Sequence, residues 1–243
     1  MRKLLLGATL LSGLAALASP ANARLQLSIN ANGSTFSCFD GQLGCDQSGG
    51  ANNLLAVNTT IGGAFVEIAL ATSTFGRPDI LELSSSKILN VSGKPITINL
   101  LASDTNFTPP VSFIESSASL TFNEAVGSGP SSLSFYADKA NVQGANLLNT
   151  PGTLLEMVSG TPTTDPDSFS GSRLTAFSAS APFSMTETAS LALIKGGSIT
   201  GFNQSMTSGI PEPRTWAMLI LGFGMMAFMG ARKVRKDRLG ALA

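Results

Sequence analysis

Short stretches in which apolar and small polar residues alternate dominate the middle of the chain. Leu25-Gln-Leu27-Ser-Ile29, Ile96-Thr-Ile98-Asn-Leu100, Ala118-Ser-Leu120-Thr-Phe122 and Leu133-Ser-Phe135 each put apolar side chains on one face and polar ones on the other. Phe65 to Leu70, Ile80 to Leu83, Ile88 to Val91, Leu154 to Val158 and Phe183 to Leu193 are further candidate strands. Turn signals separate them, among them Gly62-Gly63, Ser92-Gly93, Pro109-Pro110, Pro151-Gly152 and Gly196-Gly197. No amphipathic helical stretch of useful length and no internal repeat interrupts the series. Regular short strands with Gly/Pro turns predict an all-β fold, an antiparallel β-sandwich over residues 24–200 with Ile98, Leu100, Leu120 and Phe122 in its core. Residues 201–210 read as a polar linker between that body and the C-terminal segment.

Both ends break the alternation. Met1-Arg2-Lys3 precedes an apolar run from Leu4 to Ala18 and then Ser19-Pro20-Ala21-Asn22-Ala23. A basic start, an apolar middle and a small-residue cleavage site predict a signal peptide over residues 1–23, cut after Ala23. At the other end, Pro211-Glu212-Pro213 is held extended, because proline fixes its own φ and pushes its predecessor out of the helical region. Trp216 to Ala231 then runs without a charge, and Arg232, Lys233, Arg235, Lys236 and Arg238 follow. Sixteen helical residues span about 24 Å, against ~30 Å of bilayer hydrocarbon. The stems of Arg232 and Lys233 extend the apolar length, and Trp216 suits the opposite interface. The expectation is one transmembrane helix over about residues 215–231 with a basic cytoplasmic tail over 232–243. The sandwich then lies outside the inner membrane, where the signal peptide also puts it.

The run Pro211-Glu212-Pro-Arg-Thr-Trp216-Ala217, then Leu221-Gly222-Phe223-Gly224, then the basic cluster from Arg232 to Arg238 resembles the PEP-CTERM sorting domain. It is most similar to the variant with Trp-Ala shortly after the triplet, found in alphaproteobacteria. The resemblance covers residues 211–238, about a tenth of the chain. It implies recognition by exosortase, an integral-membrane cysteine transpeptidase of bacteria that make extracellular polysaccharide. On that reading Pro211, Glu212, Pro213, Trp216, Ala217, Gly222 and Gly224 form the sorting motif. The membrane precursor then matures to a cell-surface or extracellular form.

Charge changes the picture of the middle. The net charge of the whole chain is zero, but residues 24–210 hold seven bases against thirteen acids. A mildly acidic body without a basic patch speaks against a nucleic-acid partner. The chain contains no histidine, which removes the commonest general base and zinc ligand. No cofactor motif is present.

Cys38 and Cys45 are the two cysteines of the chain. An exported chain with an even cysteine count at short spacing predicts a disulfide, with Asp40-Gly41 and Gly44 supplying the turn. Ser84-Ser-Ser-Lys87 matches the Ser-x-x-Lys of penicillin-recognising enzymes, and Ser103-Asp104-Thr105 lies near their second motif. The third, Lys-Thr-Gly, is absent and the local pattern is a strand, so chance in a serine-rich chain explains the match. Asp40, Asp46, Asp165 and Asp167 offer carboxylates for calcium, but no spaced loop ends in a bidentate Glu, and solvated turn residues are the better reading. No metal site is predicted.

Three functions fit the body. The first is a structural or interaction protein of a biofilm or exopolysaccharide matrix. The second is a carbohydrate-binding module, whose aromatic platform would have to be phenylalanine, because Trp216 lies in the tail and Tyr136 is the single tyrosine. The third, a hydrolase, is disfavoured by the missing histidine and the lack of a carboxylate pair in identifiable context. The reading is therefore non-enzymatic.

Overall fold

The computed structural model describes residues 24–49, 51–76, 78–144 and 150–210, together with Leu221 and Phe223, which are helical and exposed. The expected signal peptide with its cut at Ala23, all seven named residues of the sorting motif, the expected transmembrane helix apart from Leu221 and Phe223, and the basic cluster lie outside the described residues. Among the described residues no helix is long and apolar enough to cross a membrane.

Thirteen strands carry the chain: β1 (Gln26–Ala31), β2 (Ser34–Phe39), β3 (Leu54–Ile61), β4 (Ala64–Thr74), β5 (Ile80–Ser85), β6 (Lys87–Asn90) and β7 (Ile96–Phe107) come first. They are followed by β8 (Val111–Asn123), β9 (Ser131–Asp138), β10 (Thr153–Gly160), β11 (Asp167–Ala179), β12 (Phe183–Leu193) and β13 (Ser198–Gly209). Two antiparallel sheets result. One has six strands in the order β10-β9-β12-β7-β1-β2, and the other has seven in the order β11-β8-β13-β5-β4-β3. In the second sheet β6 continues the line of β5 and pairs with the same neighbours, β13 and β4. The chain crosses between sheets at β2–β3, β6–β7, β7–β8, β8–β9, β10–β11, β11–β12 and β12–β13.

The period-2 pattern explains the core. Ile98, Leu100, Leu120 and Phe122 are all fully or almost fully buried, as the alternation requires. Leu27 and Ile29 from β1, Leu81 and Leu83 from β5, and Leu133 and Phe135 from β9 join them. The expected all-β sandwich and its central strands stand. Four strands were not apparent in the pattern: β2, β3, β11 and β13.

The last of these corrects the domain boundary. Residues 201–209 are not a linker but the greater part of β13, hydrogen-bonded on both sides, to β8 and to β5. Phe202 and Met206 point into the core, but the inward positions between and after them are Gln204 and Ser208. Polar residues on the inner face hide the alternation. The folded domain therefore runs to Gly209, and Ile210 leads directly into Pro211.

Candidate ligand-facing surface

The register of the strands gives the sandwich two unlike ends. Arg24 leads into β1, whose first residue Gln26 pairs with Ser103 of β7 and Phe39 of β2. Gly209 ends β13 beside Phe113, at the start of β8. Two bonds show that these are the same end of both sheets: Ser73 Oγ of β4 donates to Asp104 Oδ2 of β7 at 2.5 Å, and Thr108 N donates to Asp79 Oδ2 at 2.6 Å. This end, which we term proximal, also carries the loop from Asp40 to Asn53. The distal end carries the turns Asn32-Gly33, Gly62-Gly63, Ser92-Lys94, Glu124–Pro130 and Lys195–Gly197.

Cys38 and Cys45 form the expected disulfide, with Cα atoms 5.9 Å apart. A disulfide points to an oxidising, extracytoplasmic compartment. The carboxylates weighed for calcium serve as turn anchors. Asp46 accepts from the backbone N–H groups of Gly41, Ser48 and Ala56. Burial pushes its carboxyl up, but these bonds prevail and hold it below the usual carboxylate value. Asp40 accepts from Asn53 N at 2.8 Å. Asp167 accepts from Thr163, Thr164 and Ser168, and those bonds hold it low as well. Asp165 accepts from Glu124 N. Among the described residues no group of three or more Cys, Asp or Glu is placed to hold a metal. Ser84 and Lys87 lie on successive strands rather than a helix, and Ser85 points inward and donates to Glu67 O at 2.6 Å. Ser103, Asp104 and Thr105 are buried in β7.

Three carboxyls are buried, Asp79, Asp104 and Glu187; Asp79 accepts from Gly76 N and Thr108 N, and the other two are shifted. Burial pushes the Asp104 carboxyl up, opposed by the Ser73 hydroxyl that donates to it. Glu187, in the middle of β12, is fully buried with both oxygens unpaired among the described residues. Burial, and secondarily the negative charge of Glu82, raises it well above the ordinary glutamate value. Neither opens to solvent beside a second reactive group.

The outer face of the six-stranded sheet is different. Residues 139–144 cover its proximal half: Gln143 Nε2 donates to Arg24 O and Ser103 O, and Ser184 Oγ donates to Val142 O. The distal half is open. There the register aligns one residue from every strand: Thr35 with Asn30, Asn30 with Asn99, Asn99 with Ser190, Ser190 with Ser132, and Ser132 with Ser159. All six are partly or fully exposed. Within the row Asn30 and Thr35 bond each other, Asn30 Nδ2 donating to Thr35 Oγ1 at 2.9 Å. The side chains of Asn99, Ser190, Ser132 and Ser159 bond no other described residue.

The row opens at its distal side into a cleft of about 510 Å³, lined by Asn30, Asn32, Thr97 and Asn99 with Pro95 and Ile194 among the apolar walls. No charged residue lines it. The opposite sheet presents a different outer face, where Glu82 and Glu115 interrupt the Ser/Thr rows. A second pocket, of about 470 Å³, lies at the proximal end beside Pro78, Pro110, Phe113, Glu115 and Ile210. No alternation rule marks the Asn/Ser row in the sequence, because it exists only once six strands are in register.

No family model and no curated protein sequence matches the chain. Among solved structures, TmCBM61 in complex with β-1,4-galactotriose is 8% identical, with 53% of this chain and 68% of that chain covered and a TM-score of 0.26. Bacteriophage CBA120 tailspike protein 4 is 9% identical over 59% of this chain and 19% of that one, at a TM-score of 0.27. Arthrobacter globiformis T6 isomalto-dextranase complexed with panose is 12% identical over 62% and 24%, at 0.25. The chain thus spans about a fifth to a quarter of the last two. These likenesses are too slight to carry an argument about fold detail or ligand.

Proposed function

We propose that the chain is an exported cell-envelope protein, tethered at the inner membrane by its C-terminal segment and processed there by an exosortase. Its β-sandwich serves a structural or interaction role in an extracellular matrix rather than a catalytic one. The observation that carries this reading is that both ends of the domain, Arg24 and Ile210, leave it at the proximal end. A domain released from a signal peptide and tethered through its last strand stands on that end and turns its distal loops and cleft away from the membrane. The disulfide at the same end supports an extracytoplasmic location. Six residues lie between Gly209 and Trp216, and the seven Cα–Cα steps reach at most about 25 Å when extended. On this reading a processing enzyme has to work within that reach of the folded domain.

The test is fractionation of the native host carrying wild type or the P211A/E212A/P213A variant, with mass spectrometry of both protein termini. Wild type should lose the segment after the triplet and leave the inner membrane, while the variant is exported but retained with an intact C-terminus. Equal retention of both, each with its C-terminus intact, would show that the tail only anchors.

A further inference from the structure

We propose that the row Thr35–Asn30–Asn99–Ser190–Ser132–Ser159, with the cleft beside it, binds the extended chain of an uncharged polysaccharide. The row crosses all six strands, and neighbouring strands lie about 4.8 Å apart. It therefore offers one neutral hydrogen-bonding group at each step of about 4.8 Å, a spacing close to one pyranose unit of an extended glycan. Each amide and hydroxyl both donates and accepts, as each sugar hydroxyl does. Four of the six side chains hold no bond to another described residue, so their capacity is open to a ligand.

The shape selects a polymer. The row has no end wall, because β2 and β10 are the edges of the sheet, and a chain can enter and leave freely. In the cleft, Pro95 and Ile194 supply apolar surface for the C–H face of a sugar while Asn32 and Thr97 supply polar contacts. Charge narrows the class further. No ionisable group lies in the row or lines the cleft. Lys94 and Lys195 neighbour lining residues, but Glu124 and Asp165 stand at the same end. A peptide added as a strand would use a sheet edge, not cross a face. No aromatic ring lines the cleft, so each subsite is weak and affinity comes from several units engaged together.

The inference deepens the matrix role proposed above and depends on it only for which way the face is turned. It is tested on the full-length protein in detergent micelles by affinity electrophoresis in dextran, hydroxyethyl cellulose and galactomannan, with alginate as the polyanion. At least one neutral polymer should retard the protein, and retardation should survive ~1 M salt, where charge attraction is screened within about 3 Å. N30A/N99A should weaken binding about thirtyfold, two amide contacts at the usual net strength. S132E, which sets a carboxylate in the row, should abolish it. S119A on the opposite sheet should leave it unchanged, and all variants should keep the wild-type thermal midpoint. Retardation by none of the neutral polymers overturns the proposal. So does retardation by alginate alone, or binding that N30A/N99A and S132E leave intact. None of these outcomes bears on the tail, which the fractionation experiment tests separately.

Discussion

Glu187→Gln removes one ionisable proton from the centre of the sandwich and changes little in shape. Glu187 sits on β12 between Ala102 of β7 and Phe135 of β9, and it has no solvent exposure. From the facing sheet, Gln204 Nε2 reaches across to Thr188 O, one residue along, and leaves Gln204 Oε1 unpaired. Glu82, half-buried on β5, is the charged group that acts on it. An ionised carboxylate in this position would be desolvated without a compensating bond, so the group stays neutral in the folded state well above the pH at which it ionises in the unfolded chain.

Because the folded value is raised, both states hold the proton below the unfolded value of about 4.3, and nothing is lost there. As the pH climbs through and above 4.3, the unfolded chain gives up its proton and the folded one keeps it. Stability then falls by about 1.4 kcal/mol per pH unit until the folded value is reached. For a domain of this length that is about 3–6 °C of thermal midpoint per unit. Glutamine carries no such slope, and its amide brings a donor to the layer that holds the unpaired Gln204 oxygen. Thermal unfolding of wild type and E187Q at pH 4, 5, 6 and 7 measures the difference directly. Asp104, Asp46 and Asp167 titrate in both proteins and cancel from it. The midpoints should be close at pH 4 and diverge in favour of E187Q above pH 5. Curves that stay parallel from pH 4 to pH 7 would refute the reasoning, since Glu187 would then have to be ionised and partnered in the native state.

Two further substitutions test the frame around the site. C38S/C45S should lower stability by about 2 kcal/mol in chemical denaturation, the loop-closure value for so short a loop; no change on reduction or substitution would mean that the loop is ordered without the bond. Gly62 has φ +54°, and a Cβ there would lie 2.0 Å from Ala31 O. G62A should therefore destabilise the domain by about 2 kcal/mol or more, and a variant within ~0.5 kcal/mol of wild type, the usual surface range, would show that this distal turn can rearrange freely.

How much of this could be read from residues alone depends on what each strand turns inward. β1, Ile96 to Ala102 of β7 and Ala118 to Phe122 of β8 alternate cleanly because every inward position in them is apolar, and the core residues expected from them are buried; Asp104 and Ser116 turn inward only outside those stretches. β11 lies at a sheet edge with several serines, and β2 is an edge strand whose inward Phe36 and Cys38 are too few to announce a period. β13 is a central strand, yet Gln204 and Ser208 on its inner face make it read as a linker. The disulfide was legible because it needs only two residues and a turn. The Asn/Ser row was not, because its members come from six strands and are scattered from Asn30 to Ser190 along the chain. The same polar residues that blur the strand pattern thus have two different fates. Turned inward, as at Glu187 and Gln204, they leave unpaired atoms that cost stability. Turned outward in register, as along the row from Thr35 to Ser159, they leave hydrogen-bonding capacity on a face that a domain standing on its proximal end presents to its surroundings. The two experiments separate these fates: the row variants should change binding without changing stability, and E187Q should change stability alone.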